Sequence, residues 1–342
     1  MIPSIRMVIE ESSRTAEARR VARKMADDLG FDETEAERIA IVVTEVCTNL
    51  LLHATRGEIL LTPTEAHPEV GHGGLELLAL DRGPGMGDLN QCLRDGFSTG
   101  GSAGQGLGAI MRLSSDSDFY SGKGIGTAIL ARWSGIPKSK RGSSQDSGRG
   151  ISVGGVNVPK QGEEVCGDSW GVEQTDDATV ILLADGLGHG IDARMASCEA
   201  VRILRMNPRL SPKELTERVH QALRSLRGAA VAVARIDLAR QRLTFSGVGN
   251  ISAQIRSGGK ASQHLVSVNG TAGHQANGLR EFGYPWPDHG ILVLHSDGLT
   301  TSATLDNQNG LSMRDPSLIA GVLYRDFNRG NDDATVVIAK ET

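Results

Sequence analysis

The feature that most constrains this chain is an acidic residue placed at the end of an apolar strand, and the arrangement recurs. Thr179-Val180-Ile181-Leu182-Leu183 runs into Ala184-Asp185-Gly186-Leu187-Gly188-His189-Gly190. A short apolar run bounded by glycines reads as a buried strand, and a helical pattern follows the turn. Asp-Gly is also a common turn dipeptide, so one copy settles nothing. Val293-Leu294-His295-Ser296-Asp297-Gly298-Leu299 repeats the design, and Asn331-Asp332-Asp333 stands before a further run, Ala334-Thr335-Val336-Val337. Cys166-Gly167-Asp168-Ser169-Trp170 adds a fourth acidic strand edge. Carboxylates at strand ends hold hard cations such as magnesium or manganese. Four such edges in one half of the chain read as a metal cluster on a sheet.

Length and charge set the frame for this half. At 342 residues the chain is long enough for two domains. A net charge of −5 gives no chain-wide pull toward nucleic acid or an anionic membrane. Cys47, Cys92, Cys166 and Cys198 are scattered singly, which argues against a zinc site and fits reduced thiols. The start lacks a basic-then-apolar signal, and no apolar run nears the roughly 20 residues of a membrane span. The expectation is a soluble cytoplasmic protein with no nucleic-acid or membrane partner.

From the start of the chain, residues 10–29 read as a helix capped by Ser12 or Ser13 and ended by Gly30. A second helix opens with Asp32 and Glu35 at capping-box spacing and carries the apolar stripe Ile39, Val42, Val43, Val46 and Leu50. Glu45, Asn49 and His53 fall four apart and share one stripe; taken alone, this is equally a solvated edge. Strand-like runs at 58–61 and 75–80 follow. Asp81-Arg82-Gly83-Pro84-Gly85 after the second is either a tight turn or a carboxylate held near a ligand. Gly104-Gln105-Gly106-Leu107-Gly108 opens onto a helical run, and glycines at a helix N-terminus offer free N–H groups to phosphates. No Walker loop or dinucleotide fingerprint is present.

These residues carry a resemblance. Glu45 to Asn49, Asp81 to Gly85 and Gly104 to Gly108 resemble the N, G1 and G2 boxes of the GHKL ATPase/kinase superfamily. The stretch Asp81 to Trp133, with Asp95-Gly96-Phe97-Ser98-Thr99-Gly100-Gly101, is most similar to RsbT-type switch serine kinases of the stressosome. The resemblance implies ATP with Mg2+, with Asn49 holding the metal on the phosphates, Asp81 taking the adenine amino group and Glu45 as general base. Gly83, Gly85, Gly104, Gly106, Leu107, Gly108 and Thr127 complete the implied nucleotide contacts.

Residues 135–150 are rich in Gly, Ser and basic side chains and read as a flexible linker. Beyond them, Cys166 to Ser169, Ala184 to Gly190, Arg227 to Ala230, Gly247 to Asn250, Ser296 to Leu299 and Asn331 to Thr335 resemble, in order, the motifs of PPM (PP2C-like) phosphatases of the SpoIIE/RsbX branch. This implies two Mn2+ or Mg2+ ions held by Asp168, Asp185, the Gly186 carbonyl, Asp297 and Asp332, with a water between them attacking phosphorus; Asp185 and Asp297 are the implied catalytic pair. Asp333 is expected beside the cluster, Glu163 and Glu164 on the surface, and His189 and His295 in supporting or packing roles.

The expected fold is α+β in two domains: a Bergerat-type (GHKL) ATP-binding sandwich over 1–134 and a PPM-type αββα sandwich over 151–342. The expected function is a bifunctional regulator that phosphorylates and dephosphorylates serine or threonine on STAS-domain stressosome or anti-sigma-antagonist partners. The alternative is a regulated phosphatase whose GHKL domain only binds ATP or docks partners. A homodimer is also allowed by the sequence.

Overall fold

The structure, a computed structural model, describes residues 3–64, 73–87, 89, 106–134, 150–257, 262–276, 278–306 and 308–342. The chain forms two compact units, one of Ile2–Asp146 with Met313–Arg325 and one of Ser147–Ser312 with Asp326–Thr342. No described helix is long and apolar enough to cross a membrane. Residues 135–149 of the expected linker, and Gly104 and Asp95–Gly101 of the glycine-rich stretch, lie outside the described residues.

In the first unit, β1 (Ile5–Val8), α1 (Ser12–Leu29), α2 (Glu33–His53), β2 (Glu58–Thr64), β3 (Gly74–Leu80), α3 (Gly106–Leu113), β4 (Asp116–Ser121) and β5 (Thr127–Trp133) follow in order. The strands form one sheet, β1-β2-β3-β5-β4, antiparallel throughout. Side chains alternate across a strand, so one face gathers Ile59, Leu61, Leu75, Leu77, Ala79, Ile129 and Ala131. That face packs on the small stripe Ala18, Ala22 and Ala26 of α1 and on Ile39, Val43, Val46 and Leu50 of α2. Asp32 caps α2 by accepting from the Glu35 amide at 2.8 Å. The expected cap of α1 differs. Its N-cap is Glu11, without a side-chain cap bond, and Ser13 Oγ turns to the Glu11 carboxylate at 2.5 Å instead. Gly30 ends α1 at φ +88, a left-handed conformation that suits glycine.

The second unit contains β6 (Ile151–Val158), β7 (Asp168–Gln174), β8 (Thr179–Gly186), α4 (Ile191–Met206), α5 (Pro212–Ala222), β9 (Ala229–Asp237), β10 (Arg242–Val248), β11 (Ser252–Arg256), β12 (Gln263–His264), β13 (Phe282–Pro285), β14 (Ile291–His295), and β15 (Ala334–Glu341), while α6 (Pro316–Phe327) intervenes before the last strand. Two five-stranded sheets, β13-β10-β9-β8-β7 and β12-β11-β14-β15-β6, enclose a core of Trp170, Ile181, Leu183, Phe245, Leu292, Leu294 and Val337. The outward residues of β8 and β9, Val180, Leu182, Val231 and Val233, are covered by α4 and α5. Ser211 and Glu214 form a full capping box on α5.

The remaining face of the first sheet is where chain order and packing part. Leu60, Leu78, Leu80 and Leu130 point away from α1 and α2, yet each is at most 1% exposed. Their cover is Met313–Arg325, which groups with this unit although the sequence division at 134 and 151 made no provision for it. A Cβ on Gly321 would stand 3.2 Å from Leu80 and 3.3 Å from Leu78, so α6 lies flat on the sheet. Pro316 through Arg325 are all buried, as in a helix that is apolar on every side. Asp315, just before it, takes two 2.6 Å bonds from the Arg132 guanidinium, whose Nε also donates to Glu76 at 2.7 Å. The Asp315 amide donates to Asp118 at 2.8 Å.

Candidate active sites

In the first unit, α2 carries Glu45 and Asn49 one turn apart, and both face the start of α3. A Cβ on Gly106 would lie 3.1 Å from Glu45 Oε2 and 3.5 Å from Asn49 Nδ2. Glycine at that position therefore lets a helix N-terminus come close to a carboxylate and an amide, and helix N-termini favour phosphate. Leu107 is half-buried and Gly108 buried, continuing α3 against α2.

Asp81 follows β3 and is 8% exposed. Its amide donates to the Thr127 carbonyl at 2.9 Å, and its Oδ1 accepts from the Gly83 amide at 2.6 Å. A Cβ on Gly85 would fall 1.9 Å from the Gly122 carbonyl, and Gly85 has φ +68, so only glycine lets this loop close on the turn after β4. Burial raises the Asp81 carboxyl pKa, while the Gly83 and Thr127 hydrogen bonds and the charge of Arg325 oppose the rise. Thr127 Oγ1 lies 3.0 Å from Ser121 Oγ, which accepts from the Met86 amide at 2.8 Å. Glu45, Asn49 and Gly106 are thus brought together, as are Asp81, Gly83, Gly85 and Thr127.

In the second unit, antiparallel pairing sets Asp168 of β7 directly opposite Asp185 of β8. Both carboxyl pKa values are raised, first by burial and then by neighbouring carboxylates. Asp168 is 1% exposed, and its Oδ2 is buried with no hydrogen-bond partner. Asp297, after β14, is raised by burial and by Asp332, and its Oδ2 accepts from Asn250 Nδ2 at 2.8 Å. Asp333 is committed elsewhere: its two oxygens accept from the Lys160 and Gly167 amides, each at 2.8 Å. Gly186 and Gly298 are crowded by backbone, with a Cβ 2.1 Å from the Ala193 carbonyl and 2.0 Å from the Asp333 carbonyl respectively.

Two polar residues support the acids. Asn157 of β6 is buried, donating to the Asp168 carbonyl at 3.1 Å and to Thr335 Oγ1 at 2.8 Å, and so ties the two sheets at the acidic edge. Asn250 orients Asp297; it stands in the Gly-Val-Gly-Asn turn, and a polar residue directly after such a turn was the available clue. Glu163, expected on the surface, pairs with His189 Nδ1 at 2.8 Å and lines a cavity of about 520 Å3 with Glu164, Ile191 and Asp192. His295 is buried, with Nδ1 2.9 Å from the Ser296 carbonyl, and burial lowers its pKa.

Among the described residues, no three His, Cys, Asp or Glu side chains stand as a ready ligand set for a metal ion. The donor chemistry nevertheless fits divalent cations. Asp168 and Asp185 repel each other across the strands, one oxygen is orphaned in the interior, and all the acids offer hard oxygen ligands.

Residues 10–133 match the histidine kinase-like ATPase domain, and residues 175–341 match stage II sporulation protein E. The serine/threonine-protein kinase RsbT of Bacillus subtilis (strain 168) is 37% identical over 117 residues, covering 34% of this chain and 86% of RsbT. The phosphoserine phosphatase RsbX of the same organism is 24% identical over 140 residues, covering 41% of this chain and 70% of RsbX. Two solved structures share the fold of the second half. A chain from work on the bacterial stressosome has a TM-score of 0.52 at 24% identity, covering 56% of this chain and 99% of its own. RsbX in complex with magnesium has a TM-score of 0.50 at 22% identity, covering 56% of this chain and 96% of its own. Over residues 10–133 the chain belongs to the histidine kinase-like ATPase domain family, and it joins to that RsbT-like part an RsbX-like phosphatase domain of the SpoIIE type.

Proposed function

We propose that this chain both writes and erases phosphate on serine or threonine of STAS-domain partner proteins in a stressosome or sigma-factor partner-switching pathway of the cytoplasm. A kinase domain over 1–134 works with ATP and Mg2+. A phosphatase domain over 151–342 works with two Mn2+ or Mg2+. The observation that carries the reading is the pairing of Glu45 and Asn49 with the start of α3 at Gly106, in a chain that also sets Asp168 opposite Asp185. A pure phosphatase would have no use for a carboxylate held at a phosphate-receiving helix end.

In the kinase half, Asp81 accepts from the adenine amino group while Gly83 and Gly85 let the backbone lie close to the base. The N-terminal amides of α3 would receive the phosphates, and Asn49 would hold the accompanying cation through its amide oxygen. Glu45 would take the proton of the substrate hydroxyl as its oxygen bonds to the γ-phosphorus and the bond from that phosphorus to the bridging oxygen breaks, releasing ADP. In the phosphatase half, Asp168, Asp185, the Gly186 carbonyl, Asp297 and Asp332 would hold the cations. Bound divalent cations supply charge neutralisation of the phosphoryl group and an acidified water. Asn250 fixes the Asp297 carboxylate, and the Asn157 bridge keeps β7 in register beside β15.

The test follows phosphoserine on a STAS-domain protein incubated with labelled ATP and either the wild-type chain or Asp332→Ala. Label that builds up only with the variant supports one chain carrying both activities. If neither accumulates label while the wild type strips a phosphorylated substrate, the first domain is an ATP sensor and the kinase reading fails.

A further inference from the structure

The unit that holds the ATP-site residues ends on an arginine set against Asp81. Arg325, the last residue of Met313–Arg325, is 6% exposed. Its Nη1 donates to the Asp81 carbonyl oxygen at 2.9 Å, and the Arg82 guanidinium donates back to the Arg325 carbonyl. The Asp81 amide is already tied to Thr127 and its Oδ1 to Gly83. Asp81 therefore has both backbone groups and one carboxylate oxygen fixed, and Arg325 supplies the carbonyl restraint.

The helix that delivers this arginine is held in place. Its other end is pinned by the two Asp315–Arg132 bonds at 2.6 Å, and its middle rests Gly321 directly on Leu78 and Leu80. Leu318, Ile319, Val322 and Leu323 of the same helix are fully buried. A buried guanidinium among them is costly unless its charge and donors are used. One of its donors is used on the Asp81 carbonyl, and its positive charge opposes the upward pull that burial exerts on the Asp81 carboxyl pKa.

We infer that Arg325 is a positioning residue of the ATP site: it holds Asp81 in the orientation in which the carboxylate meets the adenine amino group. Adenine selectivity then depends on α6, which lies within the part of the chain matched to stage II sporulation protein E. The inference rests on reading Asp81 as the adenine acceptor, and the experiment separates the two.

Binding of ATP and of inosine triphosphate, which carries an oxygen where adenine has the amino group, is measured on the full chain with Mg2+ by calorimetry. Asp81→Asn tests the underlying reading: it removes the preference for ATP, and a preference that survives overturns the adenine role of Asp81. Arg325→Ala tests the inference: ATP weakens by about tenfold, the factor expected for a lost charge-assisted hydrogen bond, while inosine triphosphate is unaffected. Arg325→Lys, which keeps a charged donor, restores most of the preference. Arg325→Met keeps the buried stem and serves if the alanine variant does not fold, with the same expected loss of preference. An unchanged preference in Arg325→Ala, or equal weakening of both nucleotides in Arg325→Ala and Arg325→Met, assigns Arg325 to packing and overturns the inference.

Discussion

Replacing Arg132 with methionine removes the centre of an ion cluster while keeping most of its apolar volume. Glu76 Oε2 lies 2.7 Å from Arg132 Nε, and the Glu76 side chain is only 7% exposed. On the other side Asp315 receives both terminal nitrogens at 2.6 Å. Without the arginine, a buried carboxylate is left beside a second carboxylate. Breaking a buried pair in this way costs about 3–5 kcal/mol, a large share of the roughly 5–15 kcal/mol that holds a domain folded. Asp315→Asn is milder, at about 1–2 kcal/mol, because the Arg132–Glu76 pair survives. The deficit has a defined pH dependence. Burial already raises the Glu76 carboxyl pKa, and Arg132 opposes that rise. Removing Arg132 raises it further, so the folded variant holds its proton more tightly than the unfolded chain does. Stability is then retained below the unfolded pKa of about 4.3 and lost as pH climbs toward the folded value. Urea unfolding reports this through Trp133, which is 1% exposed on β5, once Trp170 and Trp286 are changed to phenylalanine. The gap between wild type and variant is widest near neutral pH and above and closes on acidification. A gap below about 1 kcal/mol, or one flat across pH, would refute the picture of a desolvated cluster pinning the segment before α6.

Three further outcomes follow from the acidic edge of the second unit. Chelating divalent cations lowers stability, and thermal unfolding without metal shows a decline with rising pH. The raised pKa values of Asp168 and Asp185 make the folded form the tighter proton binder, so its stability is intact in acid and lost into the neutral range; added Mn2+ flattens the slope, and a slope unaffected by metal counts against cation binding there. Gly186→Ala forces β8 away from α4, since its Cβ would stand 2.1 Å from a backbone oxygen. A cost of about 1–3 kcal/mol and a large loss of phosphate release are expected, and wild-type behaviour of both would show the strand end to be slack. Asp185→Ala abolishes phosphate release and spares phosphorylation while Glu45→Ala does the reverse; equal loss of one activity from both variants argues against separate sites.

The placement of the acids at strand ends was legible because Asp185 and Asp297 follow apolar runs while Asp168 and Asp332 stand at or just before the start of a strand. Asp32 with Glu35 and Ser211 with Glu214 were likewise local signals, complete within four residues. What escaped reading depends on partners far along the chain. Strand β4, Asp-Ser-Asp-Phe-Tyr-Ser, has no apolar alternation and is a strand because β5 pairs with it. Asn157 becomes a bridge only once β6 pairs with β15 and brings Thr335 within reach. Helix α6 is apolar all round, which foretells burial but not what it is buried against. Its partner is set by Gly321 against Leu78 and Leu80, by Asp315 just before it bonding Arg132, and by Arg325 bonding Asp81, and none of these long-range partners is marked in the local sequence.

The placement of α6 also sets an order of events during synthesis. The sheet face bearing Leu60, Leu78, Leu80 and Glu76 leaves the ribosome early, but the segment that covers it, Met313–Arg325, comes more than two hundred residues later. At about 5–20 residues per second, that face stays bare for on the order of 10–50 seconds. The nascent ATP-binding part is meanwhile open to chaperones and self-association, and Asp81 lacks its arginine. The first unit is therefore completed only after most of the part that matches stage II sporulation protein E has been translated.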